Sequence, residues 1–555
     1  MDNSVKWLVR DSILRTVKKI GGEDLSKKIS SFSIERSKKK EWGDLSTNLP
    51  FLLSSVSQTS PAKISEELIS SLSEEDLFSR VEYAPPGFIN FSLSFSYLKE
   101  SLKRIIQEKE DYTRFSLGEE RKVQVEFVSA NPTGPLHVGH GRAAALGDAL
   151  ANNLGKLNYK VEREYYVNDV GGQIKKLAKS LWIRIRQLEG EQIAIPDDGY
   201  KGEYLIDLAR IFKEKRGIIQ QEEEDKIILE LSGFAVEEIL SQIREDLEKF
   251  GVSFDHWFFE SELYKNNKLA EVLSILEGKN LIYEKDGALW FKTSAIIKDK
   301  EDRVLRRKNG EYTYFASDIA YHQDKFKRGF FKIIDIWGAD HIGYLPRLVS
   351  AVRALGYPEE ALKIVIYQLV SLKREGKRVP ASTREGKFIS LRELLEEVGK
   401  DAARFFFLSR SADSHLEFDL ELAKKQTPEN PVFYIQYAHA RICSILKKAE
   451  EKRVFPVNYE KVNLDLLTSP EERELMWLIS YLPDQVREAG ERLEPHHLTV
   501  YLQELASSFH YFYTRHQVIG EDRELTSARL FLVQAVKLAI LDLLGILGIS
   551  APERM

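Results

Sequence analysis

A strand pattern that leads directly into a glycine-rich helix start constrains this chain more than any other feature. The sequence reads KVQVEFVS, then ANPTGPLHVGHGR, then an Ala- and Leu-rich stretch with helical spacing, and a second strand pattern, VEREYYV, follows. The order of strand, loop, helix and strand is typical of the start of a nucleotide-binding unit. The pattern therefore predicts an α/β fold in this part of the chain.

His137, Gly139 and His140 stand where that helix should begin. Helix N-termini present unpaired N–H groups and a positive dipole end to phosphate, and two imidazoles there can donate to phosphate oxygens. A glycine between them lets a nucleotide lie close to the backbone. The alternative is that the two histidines only cap the helix. Their position after an apolar strand and a Gly/Pro loop favours nucleotide binding.

Charge and cysteine content exclude several classes of protein. The chain has 555 residues with 81 Lys plus Arg, 86 Asp plus Glu and a net charge of −5, which argues against a polycationic coat protein and an acidic disordered chain. A local basic patch for RNA remains compatible with that total. The single cysteine, Cys443, excludes an intrachain disulfide and a cysteine-clustered metal site, and it suits the cytoplasm.

Three regions differ in their patterns. Residues 1–112 mix short helices and strands, residues 113–395 alternate strands and helices, and residues 396–555 are helical throughout, which predicts a helix bundle. A helical, acidic insertion is predicted around 180–265. The apolar stretch RLFLVQAVKLAILDLLGILG contains Gln534, Lys537 and Asp542, so it is predicted to be a buried bundle helix.

Several long motifs together resemble the arginyl-tRNA synthetases, a class I aminoacyl-tRNA synthetase family. They are EFVSANPTGPLHVGHGRAAALGDAL, REYYVNDVGGQI, YTYFASDIAYHQDKF, WGADHIGYLPRL, NPVFYIQYAHARICSIL and LGISAPERM. The resemblance covers essentially the whole chain. It implies a Rossmann-like parallel-sheet catalytic domain at 113–395, an N-terminal α+β domain at 1–112 that binds the tRNA elbow, and an all-α anticodon-binding domain at 396–555.

The resemblance also implies the reaction. L-Arginine is ligated to its tRNA through an arginyl-adenylate, with release of pyrophosphate and AMP. ATP is a substrate, Mg²⁺ accompanies it, no zinc is expected, and the protein is expected to be a cytoplasmic monomer. A non-catalytic tRNA-binding paralogue is the alternative.

The family's site residues map onto this sequence by motif. For arginine, Glu126 and Asn131 would hold the α-amino and carboxylate region, and Tyr314 and Asp318 would receive the guanidinium; the alternative for Asp318 is a helix cap or a surface acid. Asp340 and His341 would lie near the substrates, or would only form a turn after a strand. The implied ATP-binding residues are His137, Gly139, His140, Asp340, His341, Ser382 and Thr383.

The second class I signature departs from its usual form. Ser382, Thr383 and Arg384 match an arginyl-type variant, but Pro380 and Ala381 replace the expected lysine and methionine. Pyrophosphate charge must still be neutralised as the bond breaks. We expect Arg384, counted with His137 and His140 as catalytic, to act with one of three nearby basic residues: Lys377, Arg378 and Lys387. The alternative is that Arg384 acts alone.

The helical region carries the predicted anticodon contacts. Asp401-Ala402-Ala403-Arg404 resembles the family signature of the anticodon-binding domain. Aromatic and amide side chains of the following helix could stack on or read splayed bases, although a tyrosine stripe at helical spacing is more often core packing. The predicted tRNA-binding residues are Tyr434, Gln436, Tyr437, His439, Arg441 and Met555.

Overall fold

The computed structural model describes residues 3–28, 32–216, 224–297, 301–379, 389–454 and 461–555. The chain opens with an α+β region. Its strands form one antiparallel sheet in the order β1-β2-β4-β3. The elements are α1 (Val5–Lys28), β1 (Ile34–Arg36), β2 (Leu45–Thr47), α2 (Leu49–Ser57), α3 (Pro61–Leu72), β3 (Phe78–Ala84), β4 (Phe88–Leu93) and α4 (Phe95–Glu108).

The middle of the chain forms the predicted Rossmann-like sheet. Five parallel strands have the order β12-β11-β5-β6-β7, so the strand order reverses at β5, where ligands bind in open α/β sheets. The elements up to β7 are β5 (Lys122–Glu126), α5 (Val138–Lys156), β6 (Lys160–Val167), α6 (Gly172–Leu188), α7 (Tyr204–Arg216), α8 (Glu224–Lys249) and β7 (His256–Phe259). Those that follow are α9 (Ser261–Lys265), α10 (Lys268–Gly278), β8 (Ile282–Lys285), β9 (Ala288–Phe291), β10 (Arg303–Arg306), α11 (Tyr314–Lys327), β11 (Lys332–Gly338), α12 (Leu345–Leu355) and β12 (Leu362–Tyr367).

The acidic stretch predicted as an insertion is helical. It lies in α8, which packs against α6 and buries an apolar face that includes Ile227, Leu231, Ile239 and Ile243. Most acids of α8 therefore occupy the solvated side of an amphipathic helix, whereas Asp246 is buried and pairs with Arg392. Strands β8, β9 and β10, which the sequence patterns did not predict, form a separate antiparallel sheet after α10.

The last region is a helix bundle with one strand in it. The expectation of an entirely helical region was wrong at Leu416–Asp419, where Leu416 and Phe418 are buried and the strand pairs in parallel with an earlier one. Strands β13 (Val370–Arg374) and β14 (Lys377–Arg378) precede this region. The elements that follow them are α13 (Leu391–Val398), α14 (Lys400–Leu408), β15 (Leu416–Asp419), α15 (Leu420–Lys424), α16 (Pro431–Glu451), α17 (Pro470–Arg492), α18 (His496–Arg515) and α19 (Arg523–Leu547).

Helix α19 is the apolar stretch singled out above. Within the described ranges it is the one helix long and apolar enough to cross a membrane, and 67% of its most apolar window is buried inside the protein. It packs against α4, α16, α17 and α18. This burial supports the predicted bundle helix.

Candidate active site

The His-x-Gly-His motif forms the first turn of α5. His137 is the N-cap: its Nδ1 accepts hydrogen bonds from the N–H groups of Gly139 (3.1 Å) and His140 (3.4 Å). The His137 N–H in turn donates to His140 Nδ1 at 3.3 Å. Both histidines therefore do cap the helix, as the structural alternative supposed.

Capping also determines which nitrogen of each imidazole can donate a hydrogen bond to a ligand. The rings stack with centroids 3.7 Å apart, and burial lowers the pKa of both, so both are neutral at pH 7. In a neutral ring whose Nδ1 accepts, the proton resides on Nε2. A Cβ at Gly139 would lie 2.9 Å from His137 Cε1, so the glycine makes room for the imidazole as well as for a ligand.

An open cavity adjoins the motif. The motif side contributes Asn131, His137 and His140, and a loop at 197–204 forms the opposite wall. The hydroxyl of Tyr204 donates to the Thr133 carbonyl oxygen at 2.5 Å and ties that loop to the motif. Asn131 donates to Gln173 at 3.0 Å. The cavity therefore lies at the carboxyl end of β5, at the reversal of strand order.

Asp340 and His341 lie in a short 3₁₀ turn after β11, and both are exposed. Burial lowers the pKa of His137, while the charge of Asp340 acts in the opposite direction, so Asp340 is within electrostatic reach of the motif. The ring of His341 contacts that of Trp337 at a centroid distance of 6.3 Å.

The second signature falls mainly outside the described residues, as do Ser382, Thr383, Arg384 and Lys387. Lys377 and Arg378 are described; they form β14, an exposed strand that pairs with β13. Directly after the segment, Ser390 forms an antiparallel bridge with His137. The end of the signature segment is thus fixed beside the histidine motif.

A second cavity lies next to α11. Its lining includes Gly171, Glu260, Tyr314 and Ser317, and the Tyr314 side chain is exposed to it. Helix α11 begins at Tyr314, so Tyr314 and Asp318 lie on one face as their spacing predicted. Asp318 is not a helix cap: the N-cap is Thr313, and the Asp318 carboxylate accepts a hydrogen bond from the Tyr344 hydroxyl.

Glu260, which the motifs did not single out, lines this cavity, as do Glu311, Lys265 and Arg307. Glu260 follows β7 directly and is 2% exposed. Its pKa is raised to about 7, first by burial and also by the charge of Asp318, while hydrogen bonds from Tyr166 and Ser317 act in the opposite direction. Its sequence signal was an acid at the end of a parallel strand, the position Glu126 also occupies.

Glu126 ends β5 and is 8% exposed. Its carboxylate accepts hydrogen bonds from the Ser129 hydroxyl at 2.9 Å and from the Lys325 ammonium at 2.5 Å. Burial raises the pKa of Glu126, and Lys325 opposes that shift.

Among the residues that the structure describes, one group of side chains could hold a metal ion. Ligand atoms of Glu162, Glu164 and His256 lie within 4.8 Å of one another. However, the Arg328 guanidinium already donates to Glu162 at 3.0 Å and to Glu164 at 2.5 Å. The cluster is therefore neutralised by an arginine, and we assign no metal to it.

The predicted anticodon residues lie on α16, but two of them face inward. Gln436 donates to Asp401 at 2.8 Å, and His439 Nδ1 donates to the Pro552 carbonyl oxygen at 2.9 Å; both are buried. These contacts hold the C-terminal segment, so a role of the two residues in RNA binding stays a prediction.

The half-buried members of the stripe form an aromatic cluster with an arginine. The Arg441 guanidinium lies over the rings of Tyr437 (4.5 Å) and Tyr513 (4.8 Å). Tyr434 contacts His510 at a centroid distance of 4.4 Å. Met555 is exposed at the chain end.

Comparison with known families agrees with the fold and the motif. The family model for the catalytic domain of class I (R) tRNA synthetases matches residues 101–407. The arginyl tRNA synthetase N-terminal domain matches 8–93, and the DALR anticodon binding domain matches 435–555. The parallel sheet with its His-x-Gly-His helix start defines a class I aminoacyl-tRNA synthetase.

Individual relatives narrow this class. The arginine–tRNA ligase of Syntrophotalea carbinolica is 47% identical, with 95% of each chain covered. A crystal structure from Campylobacter jejuni described as an arginyl-tRNA synthetase is 36% identical with a TM-score of 0.76, covering 83% of this chain and 100% of that one. Thermus thermophilus arginyl-tRNA synthetase shares the fold, with 23% identity, a TM-score of 0.78, and 99% and 100% covered.

The chain belongs to the arginyl-tRNA synthetase family. The enzyme ligates arginine to tRNA at the expense of ATP, as the motifs predicted.

Proposed function

We propose that the two cavities bind the two small substrates of this ligation. ATP would occupy the cavity beside His137 and His140, and arginine would occupy the cavity lined by Glu260 and Tyr314. The observation that carries this proposal is the pair of carboxylates, Glu260 and Asp318, within electrostatic reach of each other beside an exposed tyrosine. A guanidinium can pair with carboxylates through several donors at once.

In the ATP cavity, the Nε2–H groups of His137 and His140 would donate to phosphate oxygens, with Gly139 admitting the nucleotide. Asp340 and His341, with Ser382 and Thr383, would complete the ATP contacts. The two carboxylates that line the cavity, Asp197 and Asp198, are paired with Lys201 and Lys176. This pairing fits a Mg²⁺ held mostly by phosphates and waters, where it would neutralise phosphate charge.

In the arginine cavity, Asp318 and Glu260 would accept the guanidinium, with the Tyr314 hydroxyl beside them. Glu126 and Asn131 would hold the α-ammonium and carboxylate. The arginine carboxylate then attacks the α-phosphorus and pyrophosphate leaves, a step that needs no general base because the nucleophile is already an anion. Positioning of the two substrates and stabilisation of the phosphate charge would account for the rate acceleration.

For the pyrophosphate, we propose Arg384 with Lys377, Arg378 or Lys387. The bridge between Ser390 and His137 supports this role, because Arg384 precedes Ser390 by six residues, a chain length of at most roughly 20 Å.

For tRNA, we propose an elbow-binding domain at 1–112, a catalytic domain at 113–395 with the insertion around 180–265, and an anticodon-binding domain at 396–555. Tyr434, Tyr437 and Arg441 would contact anticodon bases, with Met555 nearby. We further propose that the enzyme acts as a cytoplasmic monomer.

Arginine-dependent ATP–pyrophosphate exchange, run with and without tRNA, tests the assignment of the cavities. Asp318→Asn and Glu260→Gln should raise the KM for arginine while leaving the KM for ATP within about twofold. A change confined to the KM for ATP would overturn the assignment.

A further inference from the structure

A lysine with no solvent exposure lies on α11, the helix that carries Tyr314 and Asp318. The Lys325 ammonium, on α11, contacts Glu126 Oε2 at 2.5 Å and Asp335 Oδ1 at 2.8 Å. It also lies 4.3 Å from the centroid of the Tyr321 ring. Burying an ammonium is costly unless it is paired, so a lysine at this position needs an explanation beyond packing.

The surroundings of Lys325 are acidic. Although burial lowers the pKa of its ammonium, the carboxylates of Asp335, Glu126 and Glu164 raise it more, so the lysine stays charged. Its two contacts differ in exposure: Asp335 has a fully buried side chain, whereas the Glu126 side chain is 11% exposed. A small part of the Glu126 side chain is therefore exposed, while its carboxylate is held by Lys325 from the interior.

Both carboxylate oxygens of Asp335 contact buried groups, one of which is Lys325. Its second oxygen contacts His322 Nε2 at 2.8 Å, and His322 Nδ1 contacts the Asp318 carbonyl oxygen at 2.8 Å. One continuous chain of contacts therefore joins Glu126 to the helix turn that carries Asp318. These contacts therefore fix the end of β5 relative to α11, although Glu126 and Lys325 are almost 200 residues apart in the sequence.

We propose that Lys325 is a positioning residue for arginine selection, which keeps the Glu126 carboxylate ionised and oriented to accept the α-ammonium of the substrate. The inference rests on the role proposed above for Glu126. Without the lysine, Glu126 and Asp335 would face each other as buried acids, with Glu164 nearby, and Glu126 would take up a proton.

The first test uses Lys325→Met, which keeps an unbranched side chain of similar length and removes the charge. It compares two ligands that differ only at the α-amino group. The KM for arginine in the aminoacylation of tRNA should rise about 10- to 100-fold. The inhibition constant of 5-guanidinopentanoate, which lacks the α-ammonium, should differ by less than about twofold between Lys325→Met and wild type. The inference would be overturned if Lys325→Met weakened the binding of both ligands equally. It would also be overturned if the KM for arginine were unchanged and only the fraction of active enzyme fell.

Asp335→Asn provides a second, independent test should Lys325→Met fail to fold. It removes a negative charge that raises the pKa of Glu126 and leaves Lys325 in place. In the Glu260→Gln background, where Glu260 no longer contributes, the acid limb of the arginine KM (its rise at low pH) should therefore move to lower pH in Asp335→Asn and to higher pH in Lys325→Met. The charged and titratable groups that face Glu126 are Lys325, Asp335, Glu164, Tyr166 and Tyr321. An acid limb that does not move in Asp335→Asn would contradict the proposal.

Glu126→Gln separates this inference from the assignment on which it rests. If that variant leaves the KM for arginine unchanged, the role of Glu126 is wrong. If it raises the KM and Lys325→Met does not, only the role of Lys325 is wrong.

Discussion

Ser390 pairs with His137 across an antiparallel bridge, and next to it the Leu391 N–H donates to the Leu136 carbonyl oxygen at 2.8 Å. The chain therefore returns to the first histidine of the motif as soon as the second signature ends. Two segments separated by about 250 residues thus meet at the start of α5, beside the cavity that we propose binds ATP. This juxtaposition is the structural basis for assigning the signature residues to the phosphates.

His137 has two roles that one substitution can separate. Asparagine is a good N-cap, so His137→Asn should keep the free energy of unfolding within about 0.5 kcal/mol of wild type, whereas His137→Ala should lose about 1 kcal/mol. Both variants lose the imidazole donor and should reduce arginine-dependent pyrophosphate exchange by about 100-fold. Urea unfolding and exchange rates measure the two effects. Full activity in His137→Asn would mean that the histidine only caps the helix.

Gly139 should be intolerant of even one added methyl group. A Cβ there would lie 2.9 Å from His137 Cε1, so Gly139→Ala must displace the imidazole. We expect the KM for ATP to rise at least about tenfold, by loss of the displaced donor. Gly155→Ala on the same helix is the matched control, because nothing lies within 4 Å of its added Cβ. That control should keep activity and be slightly more stable.

Arginine binding should depend on pH through Glu260. Its pKa is about 7 in the free enzyme, and the guanidinium binds the ionised form, so the KM for arginine should rise as pH falls from 8 to 6. Binding should release part of a proton near pH 7, which calorimetry in buffers of different ionisation enthalpy detects. Glu260→Gln should show a higher KM with this dependence removed. A wild-type KM for arginine that is flat between pH 6 and 8 would contradict the assignment.

Arg404 should matter to stability more than to RNA contact. Its fully buried guanidinium pairs with Asp148 of α5 at 2.5 Å and donates to the Leu547 carbonyl oxygen at 2.9 Å. Arg404→Met removes the closer of two arginine partners of Asp148 and leaves Arg163 at 3.3 Å, so it should cost about 2–3 kcal/mol in urea unfolding. Arg410→Met, at an exposed position, should stay within about 0.5 kcal/mol. If the two variants were equally stable, the contacts of Arg404 with Asp148 and Leu547 would not contribute to the stability of the protein.

The sequence predicts best where the chain builds a feature from neighbouring residues. Strand β5, its loop and the start of α5 are contiguous, so pattern alone predicted this strand, this loop and this helix start, beside which a cavity lies. Glu260 reaches the second cavity, and Lys325 reaches Glu126, only through sheet order and helix packing, which no local pattern reveals. Strand β15 has four residues, and its partner β13 lies more than 40 residues away, so helical neighbours obscured it. The inward positions of Gln436 and His439 depend on the returning C-terminal segment.

The discrimination between arginine and citrulline tests the central claim most directly. Citrulline has nearly the same shape but a neutral ureido group, so it cannot satisfy the carboxylates of Asp318 and Glu260. The enzyme should charge tRNA with arginine at a kcat/KM at least about 1,000-fold above that for citrulline, and Asp318→Asn should narrow that ratio. Charging of citrulline within tenfold of arginine, or an undiminished ratio in Asp318→Asn, would contradict the account.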